Sequence, residues 1–236
     1  MNSREPVRVD TAAVSPSPPA SPASPADLSP ESFSLLALRL RADLHLQDTG
    51  RCLLIAAADD DAVGLEATLE LAWCLAEELG HTVLLVDGAF GDNSLGAALG
   101  LTDQQPGLAE CLDAPLDGEP LLDRLIQPTE HARIAVLSQG SAAGARTLRA
   151  KSVEQLFMQA CQRHEFVLVR GSLRADVNRS LAFSAVVDAA LLIAVEEKTT
   201  WDQISRAQGL LNDCGARRVA LVLAHQPQRR RASTGR

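Results

Sequence analysis

Apolar residues in this chain follow two alternating patterns, one with helical spacing and one in short continuous runs. Near the start, Phe33, Leu36, Leu40 and Leu44 recur at intervals of three or four residues, which predicts an amphipathic helix over 32–47. Continuous apolar runs of strand length follow, and helical segments separate them. The predicted strands are 52–58, 82–86, 134–137, 166–169, 189–195 and 218–224, and the further predicted helices are 65–79, 107–112, 120–126, 152–164, 179–186 and 201–213.

The strand runs lack the inside–outside alternation of a sheet that faces water on one side. Apolar strands that alternate with helices predict a mainly parallel sheet covered on both faces, which is a doubly wound α/β fold. We assign this domain to 31–225. Residues 1–30 are rich in Pro, Ser and Ala and predict a disordered tail, and 226–236 predict a second, basic tail.

Composition narrows the classes of function. The net charge of −8 argues against a nucleic-acid-binding protein, because neutralising phosphates requires a basic face. No apolar run is long enough for a membrane span and no secretory signal is evident, so we expect a cytoplasmic protein, either free or held at the inner membrane through a protein partner. The five cysteines are widely spaced without a CxxC motif, which is typical of small core residues in a reducing compartment.

The segment from the first predicted strand to the next helix is laid out like a phosphate-binding P-loop. Such a loop needs glycines for close backbone approach, a lysine for the phosphates and a Ser/Thr hydroxyl for Mg²⁺. This loop instead carries Asp59, Asp60 and Asp61, and Gly64 and Leu65 stand where the lysine and the hydroxyl would fall. The three carboxylates are interpreted as a solvated helix start, and a divalent-metal site shared with Asp87 is the alternative.

Longer stretches resemble one family. ESFSLLALRL resembles a helix of the EAFRTLRTNL type, LELAWCLAEELGHTVLLVDGAFGDNSLGAALGL resembles NLAxxLAxxGxxVLLIDxDxRxPxLxxxxGL, and EFVLVRGSLR falls at the position of YDxVIIDTPP. From about residue 31 to 224 the chain resembles the cytoplasmic bacterial tyrosine kinases (BY-kinases) of capsule and exopolysaccharide systems. These kinases belong to the deviant-Walker ParA/MinD-like P-loop ATPases.

The resemblance implies that the active positions of the family are degenerate here. The first loop glycine, the lysine and the Ser/Thr correspond to Ala58, Gly64 and Leu65, and the two acidic motifs correspond to Asp87, Ala89 and Arg170. The C-terminal tyrosine cluster of the family is replaced by arginines, and the chain has no tyrosine at all. We therefore expect no catalytic residue, no cofactor and no metal, with Asp87 kept as a structural carboxylate paired with Arg170.

By analogy with the family, we expect a non-catalytic partner or regulator of a membrane polysaccharide synthesis and export complex, docking on a co-polymerase or chain-length regulator. A homo-oligomer is a candidate assembly, with Phe33, Leu36 and Leu40 as contact residues unless this stripe only covers its own sheet. The alternative function is a residual ParA/MinD-like or BY-kinase ATPase with an atypical site. A scaffold for cellulose synthesis or for cell-pole positioning is a third.

Overall fold

The computed structural model describes residues 30–44, 50–91, 94–101, 105–114, 121–141, 148–174 and 177–225. The two predicted tails therefore lie outside the described residues, apart from Pro30. Within the described part of the chain, no helix is both long and apolar enough to cross a membrane.

The described strands form one seven-stranded sheet in the order β3-β4-β2-β5-β1-β6-β7. They are β1 Arg51–Ala57, β2 Val83–Asp87, β3 Gln127–Pro128, β4 Ile134–Leu137, β5 Phe166–Arg170, β6 Ala189–Val195 and β7 Val219–Ala224. All neighbouring strands pair in parallel except β3, which is antiparallel to β4. The prediction of a mainly parallel sheet is confirmed, whereas the two-residue β3 was not predicted because it has no apolar run.

Helices cover both faces of this sheet. They are α1 Pro30–Leu44, α2 Asp61–Trp73 with a π-helical turn at Cys74–Glu78, α3 Leu95–Ala98, α4 Leu108–Asp113, α5 Leu122–Leu125, α6 Ala150–Arg163, α7 Val177–Ser184 and α8 Trp201–Asp213. One buried apolar cluster joins the sheet to α1–α3, and a second joins its other face to α4–α8. This arrangement is the doubly wound fold that the sequence predicts.

Helix α2 begins four residues earlier than the predicted start at residue 65. Asp60 caps the helix, because its carboxylate accepts a hydrogen bond from the amide of Ala62 at 3.0 Å. Asp61 is the first helical residue, where a negative charge is favoured by the helix dipole. The helix start assigned to the aspartates is thus present, but these side chains are half-buried rather than fully solvated.

Strand β7 differs from the prediction of burial on both faces. It is the last strand of the sheet, and Leu221 and Leu223 are 41% and 61% exposed. An apolar run alone does not tell whether a strand lies at the centre or at the edge of a sheet, which is why its exposure was not predicted.

The apolar stripe of α1 packs on its own domain. Phe33, Ala37 and Leu40 are buried and Leu36 is half-buried, in the cluster that contains α2 and the π-helical turn. This packing agrees with the alternative that the stripe covers the domain itself. The role of Phe33, Leu36 and Leu40 in association stays a prediction.

Candidate functional site

The candidate site lies where four adjacent strands of the sheet, β2, β5, β1 and β6, end. The carboxyl ends of parallel strands meet at one edge, which is where α/β folds bind their ligands. The loops that follow these strands carry the three aspartates after β1, Ala89 after β2 and polar residues after β5 and β6.

Residues from the two neighbouring loops contact Asp59. The hydroxyl of Thr199, after β6, donates to Asp59 Oδ1 at 3.1 Å, and Arg174 Nη1, after β5, donates to the Asp59 carbonyl at 2.6 Å. The Thr199 hydroxyl also accepts from the amide of Val195 at 2.8 Å. The loop after β1 is therefore bonded to both flanking loops.

The other two aspartates are also engaged by the chain itself. Lys198 Nζ lies 3.6 Å from Asp60 Oδ2, and the Ser172 hydroxyl donates to Asp61 Oδ2 at 2.7 Å. Asp61 Oδ1 is buried and has no hydrogen-bond partner among the described residues. No group of three or more potential metal ligands occurs in the described ranges, so their geometry offers no support for the metal alternative.

Asp87 and Arg170, the last residues of β2 and β5, form a buried ion pair. Arg170 Nη1 lies 3.0 Å from Asp87 Oδ1, and the residues are 1% and 0% exposed. Asp87 Oδ2 accepts from the amide of Leu95 at 2.7 Å. Burial raises the pKa of Asp87, and the Arg170 guanidinium and the Leu95 amide offset only part of that effect. The pairing expected from the sequence is thus present through Oδ1, and the Leu95 amide occupies Oδ2.

The remaining predicted positions after β1 and β2 carry apolar side chains. The amide of Ala58 is used by the carbonyl of Ile193 at 2.9 Å, and Ala89 is buried. Leu65 is half-buried and packs on the core.

Gly64 lies inside α2 rather than in the loop. A Cβ atom there would stand 3.4 Å from the backbone nitrogen of Ala57, an ordinary van der Waals contact, so α2 lies against the end of β1 without requiring a glycine at this position. The Gly64 carbonyl also accepts a hydrogen bond from the Thr68 hydroxyl at 2.7 Å.

Sequence reasoning missed four residues of this site, namely Ser172, Arg174, Lys198 and Thr199. Each follows β5 or β6 at the edge where the aspartate loop lies, and that position is the signal that could have identified them. The two cations matter most, because the sequence has no Lys or Arg between Arg51 and Arg124. Arg174 contacts the backbone of the aspartate loop, and Lys198 contacts the carboxylate of Asp60.

Comparison with known proteins gives structural neighbours only. No protein-family model matches the sequence, and no curated protein matches it. The kinase domain of the Escherichia coli tyrosine kinase ETK superposes with a TM-score of 0.68 at 20% identity, covering 88% of this chain and 78% of that one.

Two further solved structures also superpose on this chain. The chimeric protein CapA2B2 gives a TM-score of 0.65 at 18% identity over 83% of this chain and 84% of its own. The septum-site-determining protein MinD from Pyrococcus horikoshii, in complex with Mg-ADP, gives 0.56 at 19% identity over 73% and 68%. The chain therefore has the α/β fold of P-loop ATPases, and the predicted fold class is confirmed.

Proposed function

We propose that this chain is a non-catalytic, BY-kinase-like protein that acts as a partner or regulator of a membrane complex for exopolysaccharide or capsule synthesis and export. The Asp87–Arg170 ion pair is the observation that carries this proposal. A P-loop ATPase needs carboxylates that are free to hold Mg²⁺ and water. Here both oxygens of Asp87 are bonded, and Arg170 stands where the resemblance places the Walker B aspartate.

The charge of the loop after β1 supports the same conclusion. One carboxylate about 6 Å from a phosphate charge repels it by roughly 3 kcal/mol at an effective dielectric near 20. Asp59, Asp60 and Asp61 lie in this one loop and helix start. Arg174 and Lys198 are bonded to that loop, so binding a phosphate through them would require breaking contacts already made.

The biological setting rests on analogy, since one fold serves many functions. Two of the structural neighbours are a tyrosine kinase domain and CapA2B2, and the sequence motifs resemble the same family. By this analogy the partner is a membrane polysaccharide co-polymerase or chain-length regulator, and the chain acts at the inner membrane through that protein.

A residual ATPase or kinase is the second candidate function. It is favoured by the fold, because MinD with this fold binds Mg-ADP. The two candidate functions differ in what they require at the carboxyl ends of β2 and β5. The ATPase needs an acidic group there, whereas the non-catalytic partner needs only a folded domain.

Deletion of the gene followed by complementation tests the proposal. We expect deletion to change the amount or the length distribution of surface polysaccharide. Wild type and the double variant Asp87→Asn/Arg170→Met should restore it equally, because the double variant removes charge but keeps the acceptor for the Leu95 amide. Unchanged polysaccharide after deletion would overturn the proposal. A folded double variant that fails to complement would favour the ATPase.

A further inference from the structure

A cavity lies near the amino ends of the strands, away from the aspartate loop. Its volume is about 310 Å³, and it is bounded by α6, the start of β1 and the segment between α7 and β6. Residues that line it include Cys52, Phe157, Met158, Cys161, Val186 and Asp188. Met158 is exposed, so the cavity opens to solvent beside the two thiols.

The backbone holds these two cysteines in a fixed relation. The amide of Cys52, on β1, donates to Asp188 Oδ2 at 2.9 Å. The carbonyl of Cys161, on α6, accepts from the amide of Gly50 at 2.7 Å, two residues before Cys52. Both side chains line the cavity, with Cys52 buried and Cys161 half-buried.

The two thiols differ in acidity. The neighbouring Cys52 thiol lowers the pKa of Cys161, and Arg51 acts in the same direction, against the effects of burial and of the Asp188 charge. Burial raises the pKa of Cys52. Because the thiolate is the nucleophile, Cys161 is the attacking thiol of the pair and Cys52 its protonated neighbour.

We propose that this cavity is a thiol modification site, in which a small peroxide oxidises Cys161 and Cys52 then closes an intramolecular disulfide. The Cys161 thiolate attacks one oxygen of hydrogen peroxide, which gives a sulfenic acid and releases hydroxide. The Cys52 sulfur, losing its proton, then attacks the Cys161 sulfur, and water is the leaving product. Two thiols lose two electrons in total, and one peroxide accepts them.

The other cysteines provide internal controls. Burial, followed by the charge of Glu110, raises the pKa of Cys111 to about 12. Burial is also the main cause of the raised pKa of Cys74. Among the described residues that line the cavity with Cys52 and Cys161, neither Cys74 nor Cys111 occurs.

The test uses the full chain treated with substoichiometric to equimolar hydrogen peroxide, followed by alkylation and peptide mass spectrometry without reduction. We expect a cross-linked Cys52–Cys161 peptide and the loss of two thiols for each hydrogen peroxide consumed. Cys161 should oxidise at least about tenfold faster than Cys111, because its thiolate is far more populated. Absence of the cross-linked peptide, or random consumption of all five thiols, would overturn the proposal.

Variants separate the two roles. Cys52→Ala should stop the reaction at a sulfenic acid on Cys161 that dimedone traps, whereas Cys111→Ala should behave as wild type. Cys161→Ser should abolish the rapid phase. Should Cys52→Ala fail to fold, the wild-type cross-link still decides the question. Disulfides between chains, seen on a non-reducing gel in place of the internal one, would contradict the assignment.

Discussion

Arg170 and Asp87 occupy directly paired positions of β5 and β2, and their side chains meet at 3.0 Å in the interior of the domain. Removing two charges from water is costly, and their attraction repays that cost only when the geometry and the remaining hydrogen bonds are good. Each residue therefore depends on the other. This relationship makes the carboxyl ends of β2 and β5 a buried structural contact.

Arg170→Met should be strongly destabilising by itself. It leaves the buried carboxylate of Asp87 without its cation, and we expect a loss of about 3–5 kcal/mol in the free energy of unfolding. Asp87→Asn/Arg170→Met should recover most of this loss, because the amide oxygen of the asparagine can still accept from Leu95. Urea unfolding of wild type, Arg170→Met, Asp87→Asn and the double variant measures the loss and its recovery. A double variant as unstable as Arg170→Met would show that the ion pair is not the reason for the loss.

Helix α1 should divide into a core face and a free face. Phe33 is buried, and Phe33→Ala should lower the free energy of unfolding by about 3–5 kcal/mol. Leu35 and Leu38 are 53% and 45% exposed, so Leu35→Asp/Leu38→Asp should change it by less than about 1 kcal/mol.

The Leu35→Asp/Leu38→Asp variant also tests the predicted role of α1 in association. Sedimentation of folded Leu35→Asp/Leu38→Asp, with wild type as the control, reports whether the exposed face contacts a second copy. If wild type self-associates and this variant does so equally well, α1 contributes no exposed contact. That result would argue against the predicted contact role of Phe33, Leu36 and Leu40, because the exposed face beside them would take no part in association.

Glu165 should contribute stability that disappears in acid. Partial burial opposes ionisation, but hydrogen bonds from the Thr82 amide and from His81 lower the pKa of Glu165 overall. A lowered pKa means that these contacts stabilise the folded state above the unfolded pKa near 4.3 and are lost as pH falls through the folded value.

Glu165→Gln measures this contribution. The difference in the free energy of unfolding between wild type and Glu165→Gln should be largest near pH 7 and should shrink at pH 3. Glu130→Gln, on an exposed residue for which no contact is described, serves as the matched control. A difference that stays constant from pH 7 to pH 3 would contradict the role given to the ionised carboxylate.

The sequence was sufficient for features that depend on local pattern. The runs that became β4 and β6 and the segment that became α8 have the predicted bounds, because their apolar spacing is unbroken and Thr200 caps α8. The Asp87–Arg170 pair was also predictable, since both residues end strands at the same edge of a parallel sheet.

Tertiary relationships account for what the sequence did not predict. Arg174, Lys198 and Thr199 contact the aspartate loop from more than a hundred residues away, so no local pattern connects them. The early start of α2 depends on the cap formed by Asp60. The place of Gly64 inside α2, rather than in the loop, follows from that early start.

Calorimetric titration of the full chain with MgATP and MgADP is the most direct test of the central claim. The claim is that contacts within the chain occupy the aspartate loop and the Asp87–Arg170 pair, so that the site binds no nucleotide. We predict no measurable binding to wild type. We also predict none to Gly64→Lys, because the aspartates, Leu65 and the Asp87–Arg170 pair remain. A micromolar dissociation constant for either nucleotide with the wild-type chain would contradict the account.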